Sequence, residues 1–198
     1  MIKAVFSTVL IAILLSGCFS LTNQLPAYST YSLNVKDEIL SSKYFDISIK
    51  VNEPKALSSV NSKNIVYSKD EISQEVYALS KWSDRPSKLL QQNITKFLTI
   101  QNSYKRVSTS NLKVDNDFII NSEIQEFKHQ FIDNNSYALF TIRVYLLDTN
   151  TQKITFKNFS YKKQLTKNNA NNFVLNMNSL VFDFVTDLQN FIQETLSK

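Results

Sequence analysis

The sequence predicts an α+β domain of six or seven strands and two main helices. Three observations carry that expectation. Tyr137 to Leu147 alternates without a break, with Ala138, Phe140, Ile142, Val144 and Leu146 on one face. Asn171 to Leu196 repeats apolar side chains at three- and four-residue steps, the period of an amphipathic helix. Leu89, Leu90, Ile94, Phe97 and Leu98 form a second stripe of the same kind behind Pro86.

Taken in chain order, Tyr31-Ser32-Leu33 reads as a short first strand. Tyr44 to Val51 alternates Phe45, Ile47, Ile49 and Val51 against Asp46, Ser48 and Lys50, and Pro54 stops it. Asn64 to Ser68 and Glu75 to Trp82 are further strands. Ser83-Asp84-Arg85-Pro86 is a helix start, with Ser83 or Asp84 able to cap and proline tolerated in the first turn. That helix runs to about Gln101, and Lys88, Gln91, Gln92 and Lys96 form its polar side.

Phe118 to Phe127 is expected as a strand with Phe118, Ile120 and Ile124 inward. Tyr137 to Leu147 is the strongest strand signal. Its second face (Tyr137, Leu139, Thr141, Arg143, Tyr145, Leu147) is also fairly apolar, which predicts a central position. Asp148 to Gln152 is a polar turn, and Ile154 to Lys163 returns as the hairpin partner. In the last helix Val174, Met177, Val181, Phe184, Leu188, Phe191 and Thr195 make the stripe, widened by Val185 and Ile192. Its polar face (Asn176, Asn178, Asp183, Asp187, Gln189) lacks the Lys and Arg of a membrane-surface helix.

Composition narrows the function classes. Gly17 is the only glycine, so no glycine-rich phosphate or dinucleotide loop exists in this chain. Asparagine, which tolerates left-handed turns, replaces it. The net charge of +5 is spread along the chain, without the basic density of a nucleic-acid partner. Fourteen Phe and nine Tyr supply a core of large buried area per residue.

The N-terminus carries an address. Met1-Ile2-Lys3 is a short positive start, and Ala4 to Leu15 holds no charge. The run is shorter than the roughly 20 apolar residues of a spanning helix. It ends in Leu15-Ser16-Gly17-Cys18, which resembles a bacterial lipobox. The resemblance implies a lipoprotein signal peptide over residues 1–17, cleavage at Gly17–Cys18, and acylation of the Cys18 sulfur, with palmitate among the expected chains. Each buried acyl CH₂ contributes about 0.8 kcal/mol to membrane binding. Phe19, not aspartate, follows the cysteine, which implies sorting to the outer membrane facing the periplasm.

With Cys18 acylated no thiol is left, and the fold must stand without a disulfide. Residues 18–30 read as a lipidated start and flexible tether, reaching roughly 40 Å at most over Phe19 to Thr30. Residues 31–198 are then the folded domain.

No catalytic, metal or cofactor site is expected, and the chain is read as a non-enzyme. His129, the only histidine, has no second His or free thiol to complete a metal site and is expected as an exposed strand-end residue. Asp115, Asp117, Glu123 and Glu126 are expected to be solvated. Trp82 is the residue of most interest, as a partner contact or, by preference, a buried anchor for the helix that follows. Tyr77 and Pro86 share that double reading.

The order of these features resembles the ABC-type transport auxiliary lipoproteins, the PqiC-like group. A lipobox and tether precede Tyr31-Ser32-Leu33, a strand ending at Pro54, and Ile65-Val66-Tyr67. Tyr77, Trp82, Pro86 and Leu89-Leu90 then follow in the form Y-x4-W-x3-P-x2-L-L, and a long strand, an Asp148 to Thr151 turn and a C-terminal helix close the chain. The resemblance implies a curved, mixed, largely antiparallel sheet with both helices on one face. It implies a docking subunit of an MCE-type phospholipid transport system that links inner and outer membranes. The implied partners are membrane lipid through Cys18, an MCE-domain protein, the inner-membrane ABC permease and ATPase, and further copies of the chain in a homo-oligomer. A structural or assembly lipoprotein that binds another outer-membrane protein or a glycan is the alternative.

Overall fold

The computed structural model describes residues 27–40, 43–70, 72–109 and 114–197. Gly17, Cys18 and all but the last residues of the expected tether lie outside them. Among the described residues the chain forms nine strands and two helices. The strands are β1 (Ser29–Tyr31), β2 (Phe45–Val51), β3 (Lys55–Ala56), β4 (Asn64–Ser68), β5 (Glu75–Trp82), β6 (Tyr104–Ser108), β7 (Phe118–Ile132), β8 (Asn135–Asp148) and β9 (Ile154–Gln164). The helices are α1 (Pro86–Ile100) and α2 (Ala170–Leu196).

All nine strands belong to one open, mixed sheet built around β7. On one side β7 runs antiparallel to β8 along its whole length, from Phe118 opposite Asp148 to Ile132 opposite Asn135, and β9 pairs antiparallel beyond. On its other side three short strands lie parallel to it, end to end. β2 meets Phe118 to Ile120, β3 meets Glu123 and Ile124, and β4 meets His129 and Gln130. β6 extends this flank beside β2, while β5 and then β1 extend it beside β4. The two long ladders, β7 with β8 and β8 with β9, are both antiparallel.

One face of the sheet is buried throughout. On β8 every even-numbered residue from Ser136 to Leu146 is buried, while the odd-numbered ones are half-exposed. The alternation thus reads correctly, but β8 is central only in the plane of the sheet, and its second face stays open. The two helices share a single core with the buried face. Edge-to-face aromatic contacts run through it: Phe127 on Phe140, Phe140 on Phe184, and Phe184 on Phe159, with centroids 5.6, 5.3 and 5.3 Å apart. Such pairs add to area burial, which suits a fold with no cross-link.

Five elements differ from the sequence reading for physical reasons. β7 continues five residues past Phe127 because Gln125 is a bulge, skipped in the pairing between Ile124 and Glu126. One extra residue shifts the phase of the alternation, so the buried positions change from even to odd, and Phe127 and His129 both point into the core. β1 begins at Ser29, inside the expected tether, and pairs with Ser80 to Trp82 rather than running on to Leu33. β3 and β6 carry no alternating apolar signal long enough to read. The N-cap of α1 is Arg85 without a side-chain cap, and Asn61 Oδ1 accepts from the Ser87 N–H instead, at 3.1 Å.

Turns that usually employ glycine are made without it. Asn102, Asp133 and Gln152 sit at φ of 54°, 53° and 60°. Asn102 follows the end of α1, Asp133 joins β7 to β8, and Gln152 joins β8 to β9. α2 is capped by Asn169, whose side chain accepts from the Asn172 N–H.

Phe184→Ala, which removes the ring shared by Phe140 and Phe159, is expected to cost about 3–5 kcal/mol. Urea denaturation of the two proteins measures it.

Candidate functional site

Trp82 and Pro86 fall at one junction, where β5 gives way to α1 beside the incoming N-terminal strand, while Tyr77 lies near the other end of β5, against Tyr67 and His129. Trp82 is 1 % exposed and packs against Phe127 and Phe173, with centroids 5.5 and 6.2 Å away. Its backbone N–H donates to Lys63 O at 2.7 Å, and the next N–H, of Ser83, donates to Tyr31 O at 2.6 Å. The indole therefore sits under the crossing of β1, β4 and β5. Being buried, it is not a surface for a partner in this structure. Pro86 is buried at the first turn of α1. Around it Arg85 pairs with Glu53 at 3.3 Å, and Ser87 Oγ donates to the same carboxylate at 2.5 Å. Lys63 reaches Asp84 at 3.9 Å on the exposed side.

The segment that follows β1 is fastened by side-chain amides. Asn178 Oδ1 on α2 accepts from the Asn34 N–H at 2.7 Å, and its Nδ2 donates to Ser32 O at 3.3 Å. Asn93 Oδ1 on α1 accepts from the Val35 N–H at 3.0 Å, and its Nδ2 donates to Leu33 O and Leu89 O. Gln101 repeats the pattern, accepting from the Leu40 N–H at 2.8 Å and donating to Glu38 O at 2.9 Å. Lys96 adds an ion pair to Asp37 at 2.6 Å. Between these clasps Leu33 and Val35 are buried. An extended segment with no strand neighbour has its backbone groups met this way, as buried amides require. The sequence reading assigned Asn178 to a solvated face and gave Asn93 and Gln101 no role. Gln189, also expected on the polar face of α2, is 1 % exposed and joins Tyr104 Oη to Ser103 Oγ at 3.0 and 3.1 Å.

His129 is not an exposed strand-end residue. The Gln125 bulge turns it into the core, where it is fully buried and stacks between Phe131 and Phe173. Its Nδ1 shares a hydrogen bond of 2.6 Å with Tyr77 Oη, and its Nε2 has no hydrogen-bond partner. Burial pulls its pKa down to about 4 and pushes that of Tyr77 up to about 12, so near neutral pH both are uncharged. A buried neutral imidazole between phenyl rings is a core residue, with neither substrate access nor an orienting carboxylate.

Of the carboxylates expected to be solvated, Asp117 has a structural task. Its Oδ2 accepts from the backbone N–H and the hydroxyl of Ser48, at 2.7 and 2.8 Å, and these bonds hold its pKa below the usual carboxylate range. Glu126 accepts from Thr141 Oγ1 at 2.9 Å. Among the described residues no group of three or more His, Cys, Asp and Glu is placed to hold a metal ion. A hollow of about 480 Å³ opens at the bulge, lined by Lys55, Ala56, Leu57, Glu123, Ile124 and Gln125. No described helix is long and apolar enough to cross a membrane.

Fold and junction together describe a domain of one α+β sheet, its N-terminal segment sewn to two helices. The chain belongs to the family of ABC-type transport auxiliary lipoprotein components, whose pattern matches residues 31–188. That match opens at Tyr31, within β1, and ends at Leu188 on α2. Membership makes it a protein of the cell envelope associated with ABC-type transport. The fold is similar to a Xanthomonas campestris protein of the DUF330 family at 13 % identity and TM-score 0.77, covering 86 % of this chain and 100 % of that one. An uncharacterised protein gives TM-score 0.69 at 12 % identity, with 84 % and 99 % covered. The hypothetical protein CT253 of Chlamydia trachomatis gives 0.52 at 10 % identity, with 75 % and 98 % covered. No curated protein matches the chain.

Two outcomes are expected from this geometry. Asn93→Leu leaves the Val35 N–H unpaired and the Leu33 C=O with Ser32 Oγ alone, and should cost about 1–3 kcal/mol, with faster amide exchange at Val35 as the local readout. His129 binds its proton more weakly folded than unfolded, where its pKa is 6.5. Its contribution is therefore complete above that value and is lost as the pH falls toward 4. The loss amounts to about 3 kcal/mol by linkage. Urea denaturation of wild type and His129→Phe across that range tests it: the variant should show the smaller decline.

Proposed function

We propose that the chain is a lipid-anchored, non-enzymatic docking subunit of an MCE-type ABC phospholipid transport system, held through Cys18 and facing the periplasm from the outer membrane. The family match over residues 31–188 is the observation that carries this reading. The lipobox-like Leu15-Ser16-Gly17-Cys18 and the amide clasps support it. An anchor is effective only if the chain behind it is fastened to the fold. Here Asn178, Asn93 and Gln101 hold residues 32–40 against both helices, directly after the strand into which the tether runs. The acyl chains would supply membrane residence, the tether a gap of up to roughly 40 Å, and the domain its docking surface.

Affinity capture from detergent-solubilised envelopes tests the reading. It should recover an MCE-domain protein with its permease and ATPase, and recovery of unrelated assembly factors in their place overturns it. Cys18→Ser should abolish acylation, change the mature mass and move the protein out of the membrane fraction. Unchanged mass and partition would refute the anchor.

A further inference from the structure

We infer that the free edge of β9 is a docking strand for an acidic, extended segment of a different protein. β9 pairs with β8 alone, so over Ile154–Gln164 one whole row of its backbone N–H and C=O groups is open among the described residues. An exposed edge of this length is a template for strand addition.

The side chains along the edge say what kind of strand it accepts. Lys157 and Lys163 stand on the helix side of β9 and Lys162 on the other, and all three are exposed. Among the described residues none has a carboxylate partner within ion-pair distance. Lys157 lies over the rings of Phe159 and Phe191 at 5.3 and 5.9 Å. Lys162 lies over Tyr137 at 4.2 Å, and Lys163 donates to Ser179 Oγ at 3.0 Å. Ile154 and Phe156, which share the outer face with Lys162, are 59 % and 61 % exposed. A strand with acidic residues toward Lys157 and Lys163 and apolar ones over Ile154 and Phe156 fits both rows, because side chains alternate between faces.

The same charges exclude a second copy as the occupant. β9 against β9 would set lysine beside lysine. β6, another open edge, carries Lys105 and Arg106. β3, also open on one side, is two residues long and carries Lys55, and β1 is three uncharged residues long; neither can match eleven. Like charges placed directly opposite are unfavourable, so no edge of this sheet complements β9. β9 also lies at the far side of the sheet from β1, where the N-terminal tether enters, and leaves it clear of the anchor. This assignment stands whether or not the transport reading holds.

The test uses the full-length chain in nonionic detergent, with two labelled, capped probe peptides about nine residues long, one of alternating Glu and Val and one of alternating Lys and Val. The Glu peptide should bind more tightly, weaken as salt rises, and slow amide exchange within 154–164. The double variant Lys157→Glu, Lys163→Glu should lose about tenfold in affinity for the Glu peptide and gain for the Lys peptide. Equal affinity of the wild type for both peptides, no binding, or exchange protection confined to residues outside β9 overturns the inference. Should the double variant fail to fold, the wild-type salt dependence and exchange map decide alone.

Discussion

Every other element takes its position from β7. It is the one strand in contact with both halves of the sheet, and it meets four others: β8 along one side, and β2, β3 and β4 in line along the other, with Asn52 N–H donating to Ile120 O where β2 gives out. The Gln125 bulge is the constraint within it. Without the extra residue, Phe127 and His129 would face water, and Glu126 and Lys128 would face Phe173 and Trp82. A single-residue change of phase thus decides whether the second half of the core exists.

That dependence explains what could be read in advance. β8, β9 and both helices are legible because each keeps one unbroken period long enough to count, and β4 and β5 are bounded by polar turns. The second half of β7 is hidden because a bulge looks, in sequence, like the end of alternation. β3 and β6 depend on neighbours distant in the chain, so their residues carry no local signal. Trp82 and Pro86 of the Y-x4-W-x3-P motif flank the junction, but the spacing does not show how it works: the indole is covered, and the fastening is done by amides. Asn93, Gln101 and Asn178 look like ordinary polar-face residues, since hydrogen bonds to a segment some sixty or more positions away leave no trace in spacing. His129 was misread for the same reason as β7.

The core answers how such a chain holds together without disulfides. Aromatic rings are linked from Tyr67 through Tyr77, His129, Phe173, Trp82, Phe127, Phe140, Phe184 and Phe159 to Phe191. The line crosses from one sheet flank to the other and binds α2 to both. Elsewhere in the core buried polar groups meet one another, as in the Tyr104, Gln189 and Ser103 network.

The parallel pairing of β1 with β5 has a mechanical consequence. A pull arriving through residues ahead of Ser29 and directed along the strand meets the Ser29 to Tyr31 ladder in shear, so its bonds are loaded together instead of peeling one by one. Whatever strain passes that ladder reaches the Asn178 clasp and then those of Asn93 and Gln101 in turn, and is divided between the two helices.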